Sequence, residues 1–397
     1  MSIIPLSPMI ISPFAYGNTV SSTAFTNREN EVKRLKDNLL NGINTTIISP
    51  RRWGKSSLVE KVVSEIRKDY PKEYRAVVID LFTLGSQEEF LETYAREVIK
   101  ASSGKWQEWI GYGKELFKKL IPKITMGLDP ENDFSLSFDW KDLRKHSEEI
   151  LNLPETIGQK KGIKWIICLD EFQNISGYND YENFEKKLRA VWQRQKNVAY
   201  CLFGSKRHMM SDIFNNPSKP FYRFGDIMLL PKIEESRWVD FITTKFAETN
   251  KIITKEDARF ISVLMKNHSW YVQQLAHYTW NSAVPVATRA NIENALLELI
   301  QANTPFYQKE VETVSATQLN LLKAIAKGEA QFTSTQVMNM YQLGTPRNVS
   351  KNKVILLNAD IVHEINNTYE FLDPAFELWF RKQYFNQPYF KKTDSVG

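Results

Sequence analysis

The sequence predicts an α/β fold: a parallel five-stranded sheet covered by helices, then an all-α lid, then a winged-helix domain. Three observations carry this. Short, almost continuous apolar runs alternate with amphipathic helical stretches up to about residue 230, as strands buried on both faces of a parallel sheet do. From Pro231 to Thr304 helix follows helix with no strand between. From Thr313 three short helices precede two strand-like runs about an Asn-Asn turn, the profile of a winged helix. A chain of 397 residues exceeds one ordinary core. The expected division is a core over 1–230 with an insertion at about 104–146, a lid over 231–304, a winged helix over 305–385 and a tail over 386–397.

In order, "TNRENEVKRLKDNLLNG" reads as a helix capped by Thr26 or Asn27, with Val32, Leu35 and Leu39 on its apolar face and Gly42 as its stop. "TTIIS" is a strand, and Leu58, Val62, Val63 and Ile66 recur at helical spacing after it. "YRAVVIDLF" is a second strand and "SQEEFLETYAREVIKAS" a helix capped by Ser86. "KWQEWIGYGKELFKKLI" looks helical, either a core-covering insertion or an amphipathic membrane-surface helix. "KITMGLDPENDFSLSFDW" alternates about Asp-Pro-Glu-Asn as a hairpin does, and a helix from Trp140 to Asn152 leads on to Lys164. "KWIICLDEF", "VAYCLFGS" and "DIMLL" supply three more strands. "KIEESRWVDFITTKFAETN", "TKEDARFISVLMKN", "SWYVQQLAHYTWNSAV" and "TRANIENALLELIQANT" are the lid helices.

Composition narrows the class. Hydrophobic residues make up 42% and charged residues 25%, which fits a soluble globular protein, and 12% aromatic argues against disorder. A net charge of +6 permits nucleic-acid contact without demanding it. Cys168 and Cys201 both sit inside apolar runs, pointing to inert core thiols in a reducing compartment. The N-terminus has no basic lead and three prolines in its first 18 residues, unlike a signal peptide. No run approaches the ~18 apolar residues of a membrane span. A cytoplasmic location is expected.

The chemistry lies in "TIISPRRWGKSSL", residues 46–58. Phosphates need inward-pointing N–H groups, a cation and a helix N-terminus. Gly54 lets the main chain pass close, Lys55 can reach the β/γ oxygens, the Ser56 hydroxyl can ligate magnesium, and Ser57 begins the helix. Pro50 stiffens the entry, with Trp53 at the tip. Ser49 stands where the P-loop pattern has its first glycine. The strand "WIICLDEF" ends in Asp170 and Glu171, at the carboxyl edge where α/β folds bind ligands. Asp170 would hold magnesium, and Glu171 would polarise the attacking water. Ser205, ending "LFGS", is placed as a polar sensor or as a plain turn residue. Arg51 and Arg52 either stabilise phosphate charge, pair with acidic groups of the lid, or are solvated. Arg223 either reads the γ-phosphate, in cis or from a neighbouring subunit, or makes a structural ion pair.

These segments together resemble the archaeal-type P-loop ATPases, which belong with the STAND and AAA+ groups. The resemblance rests on "FTNRENEVKRL", "SPRRWGKSSL", "ICLDEFQ", "LFGSKRHMM", "FYRFGDIMLLPKIEESRWVDFI" and "EFLDPAFELWFR", and spans roughly residues 12–385. It implies ATP or ADP and Mg2+ as ligands, and places Phe25 and Arg28 near the adenine. Two departures stand out: Ser49, and His268-Ser269-Trp270 where relatives often carry a Gly-Pro turn. His268 is read as a capping or packed residue. The absence of an Asn-Lys-x-Asp motif favours adenine over guanine.

The expected function is a magnesium-dependent ATPase coupling turnover to movement of lid and winged helix. The alternatives are a slow nucleotide switch with a protein partner or a second copy of itself, and an ATP-regulated DNA-binding protein. For the last, Arg347, Lys351 and Lys353 lie on the third winged-helix helix, and His363 and Tyr369 would decorate the wing.

Overall fold

The computed structural model describes residues 11–17, 28–102, 123–126, 134–137, 140–365 and 368–390. It forms two compact bodies. One comprises Arg28–Arg51 and Lys55–Pro231; the other comprises Lys232 onward, the described N-terminal residues and Arg52–Gly54.

The first body is built on a sheet of five parallel strands: β1 (Thr45–Ile48), β2 (Tyr74–Asp80), β5 (Lys164–Asp170), β6 (Val198–Gly204) and β7 (Asp226–Leu229), ordered β2-β5-β6-β1-β7. Between β2 and β5 in the chain, β3 (Lys123–Met126) and β4 (Phe134–Ser137) pair antiparallel as the expected hairpin, its turn outside the described residues. Every expected core strand is in the sheet. β6 is buried along its whole length because both its neighbours and both its faces are occupied, which is why its run is apolar without alternation. Cys168 and Cys201 are adjacent in register and buried as free thiols.

Helices α1 (Glu29–Leu40), α2 (Lys55–Asp69) and α3 (Gln87–Ser102) bury the apolar stripes read from the sequence, among them Val32, Leu35 and Leu39 of α1. Two details differ. The residue at the N-cap position of α1 is Arg28, whose side chain makes no cap; Thr26 and Asn27 lie outside the described residues. The single helix expected over Trp140–Asn152 is instead two short ones, Trp140–Lys145 and Ser147–Leu151, and a third, Leu153–Lys161, follows them. Pro154 sits in the first turn of the last, where its missing N–H costs nothing, so a helix restarts there. The expected helix at Lys105–Ile121 falls outside the described residues.

In this body an aromatic core packs against the sheet. Trp192 stacks on Tyr200 at 4.2 Å, and Phe172, Phe221 and Phe224 close around them. Each such ring contributes ~2–3 kcal/mol by burial.

The second body is helical. Glu235–Ala247, Lys255–Leu264, Ser269–Ser282 and Arg289–Thr313 come first. The last runs straight through Pro305 instead of stopping near Thr304. Proline removes the backbone donor that the Gln301 carbonyl would otherwise accept; just before it, Asn303 and Thr304 donate side-chain hydrogen bonds to the carbonyls of Leu299 and Ile300, at 2.7 and 2.8 Å. Then come Ala316–Ala326, Thr335–Tyr341 and Pro346–Asn358, the antiparallel strands β8 (Val362–Ile365) and β9 (Thr368–Phe371), and a helix over Pro374–Phe385. Asp373 caps this helix, accepting from the amides of Ala375 and Phe376 at 2.8 and 2.9 Å. Beyond it Tyr389 and Phe390 pack against the body's apolar core. Among the described residues no helix is long and apolar enough to cross a membrane.

Gly225 joins the first body's loop to β7. A Cβ there would lie 2.0 Å from the backbone oxygen of Asn44, which also accepts from the Asp226 amide at 2.8 Å. Backbone cannot give way as a flexible side chain can. Gly225→Ala is therefore expected to destabilise the protein by about 2–3 kcal/mol, measured as a fall in the denaturant midpoint.

Candidate functional site

Because the strands are parallel, β1, β5 and β6 all end at one edge, with Ile48 beside Gly204 and Leu169 beside Leu202. The groups that follow those ends are therefore brought together: the loop from Ser49, then Asp170 and Glu171, then Ser205. Ligands favour this edge in open α/β sheets.

The loop turns through two left-handed residues, Arg52 (φ 62°) and Gly54 (φ 91°). Space around Gly54 is open, so glycine is needed there for its dihedral angle and not for close packing. Helix α2 then begins at Lys55, with Ser57 buried in its first turn. Lys55 is 5% exposed, and its ammonium donates to the carbonyls of Ser49 and Pro50 at 3.3 and 3.1 Å. Ser49 is buried and donates to the Pro50 carbonyl at 3.3 Å. Arg51 is exposed.

The Ser56 hydroxyl donates to Asp170 Oδ2 at 2.7 Å. The other oxygen of Asp170 accepts from the Glu171 amide at 2.8 Å. Burial raises the Asp170 carboxyl to about 6; the Ser56 hydrogen bond works against the rise, and the Glu171 charge adds to it. Glu171 adopts a left-handed conformation (φ 50°), uncommon for a residue with a side chain and a recurrent mark of functional sites. Its carboxylate accepts from Ser205 Oγ at 2.8 Å, from the Ser205 amide at 3.2 Å and from Gln173 Nε2 at 2.5 Å. Burial alone would raise Glu171, but the bonds from Gln173 and Ser205 outweigh it and hold it below the usual range. A Cβ on Gly204 would fall 1.9 Å from Gln173 Oε1, so glycine is what admits that side chain.

Other expected residues lie elsewhere. Arg223 is exposed, left-handed at φ 52°, with its guanidinium 5.1 Å over the Tyr222 ring. Arg28 is buried, donates to the Pro231 carbonyl at 3.0 Å and pairs with Glu31 at 3.4 Å; burial lowers it to about 10. Phe25 lies outside the described residues. Within the second body, Arg52 donates to the Tyr271 hydroxyl at 2.9 Å, and Trp53 is buried against His268 and His363. His268 is buried at the head of its helix without a capping bond, and burial lowers it to about 3, so it is neutral packing.

On the winged helix, Arg347 and Lys351 are exposed. Lys353 is not free for a partner: its ammonium sits 4.8 Å over Phe332 and 4.7 Å over Tyr369. His363 is not wing decoration either; it is buried beside Glu370 and Trp53. Gln173 was not singled out from the sequence, although its position two residues after Glu171 on the same turn is a signal.

Residues 305–382 match the model of a probable winged helix domain. The Walker-type ATPase paby2304 of Pyrococcus abyssi superposes with a TM-score of 0.64 at 18% identity, over 91% of this chain and 97% of that one. The fold is that of a P-loop ATPase with a C-terminal winged helix. The ORC2 protein of Aeropyrum pernix, in ADPNP–ADP complexes, superposes with a TM-score of 0.54 at 14% identity, over 96% of this chain and 98% of that one. No curated protein matches in sequence.

Asp170 supplies a test. Its folded value lies above the ordinary 3.8, so the cation-free folded state binds more protons than the unfolded chain between about pH 4 and 6. Stability therefore falls as pH rises through that window, by on the order of 3 kcal/mol in full. In the presence of chelator, Asp170→Asn is expected to melt several degrees above wild type at pH 7.5, with the gain fading towards pH 5 in thermal scans.

Proposed function

We propose that this chain is a magnesium-dependent ATPase whose cycle moves the lid and winged helix, with 231–304 and 305–385 as their bounds and 1–230 as the core. The observation that carries the reading is the convergence of the Ser56 hydroxyl and the Asp170 carboxylate at 2.7 Å, beside the Glu171–Ser205 pair. A hydroxyl and one carboxylate are the hard oxygen donors magnesium takes when triphosphate and water complete its shell. Among the described residues no cluster of three or more His, Cys, Asp or Glu offers a protein-only cage. Magnesium, when bound with the nucleotide, neutralises charge developing on the β- and γ-phosphates.

The chain's own residues do the rest. Beyond Pro50, which stiffens the entry, Arg51 to Ser57 wrap the phosphates with backbone N–H groups, and Lys55 exchanges its carbonyl partners for phosphate oxygens. Arg51, Arg52 and Trp53 line the loop tip. Glu171, kept ionised by Gln173 and Ser205, orients the attacking water and draws off its proton. Ser205 stands between that carboxylate and the γ-phosphate, and Arg223 is the candidate cation for phosphate charge, in cis or in trans. Phe25 and Arg28 flank the base. The Aeropyrum structures contain ADPNP and ADP, which supports an adenine nucleotide. The buried, unbridged thiols support a reducing, cytoplasmic setting.

Lys55→Ala is expected to abolish binding of a fluorescent ATP analogue. Glu171→Gln is expected to bind as wild type does while hydrolysis falls at least 100-fold. Wild-type turnover by Glu171→Gln would sink the assignment of the base.

A second reading, ATP-regulated DNA binding, draws on exposed Arg347 and Lys351 alone, since Lys353 is engaged internally. Two cations predict a salt slope of about −2 on a log–log plot. Fluorescence anisotropy with duplex DNA should give that slope, with Lys353→Ala leaving it unchanged and Arg347→Ala with Lys351→Ala removing binding. No binding at about 50 mM salt, with or without ATP, excludes this reading.

A further inference from the structure

Three residues at the tip of the phosphate loop, Arg52–Gly54, belong to the same compact body as the lid and winged-helix segments. Their contacts there are specific. The Arg52 guanidinium donates to the Tyr271 hydroxyl at 2.9 Å and lies 4.6 Å over the Trp270 ring. Both partners are in the first turn of the helix Ser269–Ser282. Behind Tyr271 is the Asp373 carboxyl; burial pushes the tyrosine hydroxyl up, Asp373 adds to the rise and Arg52 acts against it. Asp373 is itself fixed, because it caps the final helix through the Ala375 and Phe376 amides. Trp53, 6% exposed, sets its ring edge-on to His268 and His363, with the Lys232 ammonium 5.8 Å from its centre. Arg52 meanwhile holds a left-handed backbone, which a residue with a side chain adopts only when something holds it there.

We propose that Tyr271, backed by Asp373, is a positioning residue that holds the phosphate loop in its bent form through Arg52, so that nucleotide affinity is set in part from the C-terminal body. The inference rests on the nucleotide reading above for its consequence, but not for the latch itself. Tyr271 is three residues past His268 and directly follows Trp270. Two consecutive residues thus supply both halves of the aromatic seat, Trp270 and Tyr271. A cation–ring contact and a charge-assisted hydrogen bond on one guanidinium give the directional hold that a lysine could not.

The test uses the full chain. Tyr271→Phe keeps the ring and deletes only the hydroxyl, and Tyr271 is not among the residues placed on nucleotide. Hydrogen exchange of the nucleotide-free protein reads the latch directly. The amides of residues 51–56 are expected to exchange about tenfold faster in Tyr271→Phe, and similarly in Arg52→Ala. The double variant should be no faster than either single one, because both remove the same contact. Unchanged exchange in Tyr271→Phe, or additive effects in the double variant, overturns the latch. Titration with a fluorescent ATP analogue then reads its consequence: Tyr271→Phe should weaken binding several-fold with kcat nearly unchanged. Faster loop exchange with wild-type affinity overturns the claim on nucleotide binding. If wild type itself binds no nucleotide, the functional reading fails while the exchange result still decides the latch.

Discussion

Parallel register is the constraint on which the rest depends. Three strands from distant parts of the sequence, β1, β5 and β6, end level with one another, and only for that reason can a hydroxyl at the start of α2 meet a carboxylate 114 residues later. Turn β1 or β5 over and the pair separates by the length of a strand. Everything polar at this edge is tied to that geometry: Lys55 on the loop carbonyls, Ser56 on Asp170, and Ser205 with Gln173 on Glu171.

The edge also separates the titration of two neighbouring carboxylates. Asp170 is pushed up by burial, and Glu171 is held down by three donors. Adjacent acids with opposed environments suit different work: one carries its charge best beside a cation, the other carries it without one. The site thus stores a desolvation cost in the uncomplexed protein that a bound cation would relieve. A left-handed Glu171 adds backbone strain in the same place, as functional sites tend to.

The sheet was legible because buried parallel strands leave short continuous apolar runs, such as "WIICL" and "VAYCLF", between amphipathic helical stretches. Helix bounds were less so. Nothing in "LRKHSEEILNLPETI" announces two breaks, because its apolar spacing stays helical across them and only Pro154 marks a restart. Pro305 misled in the opposite direction: it removes a single backbone donor, and the helix continues on the bonds that remain. At the candidate site the order of motifs announced which residues share an edge, but not what Gln173 does, which depends on the absent side chain of Gly204. The seat for Arg52 was invisible: Tyr271 and Asp373 are 102 residues apart, and nothing in the sequence pairs them. Lys353 shows the same limit, being a cation by sequence and a ring-packed side chain in space.

The unbroken helix Arg289–Thr313 has a mechanical meaning. Its 25 residues form a rod of about 37 Å that begins among the lid helices and ends at the first helix of the winged-helix segment. A rod cannot fold at its middle without surrendering several backbone hydrogen bonds, and Pro305 has removed only one. The segments attached at its two ends are therefore joined by one continuous helix and not by a linker.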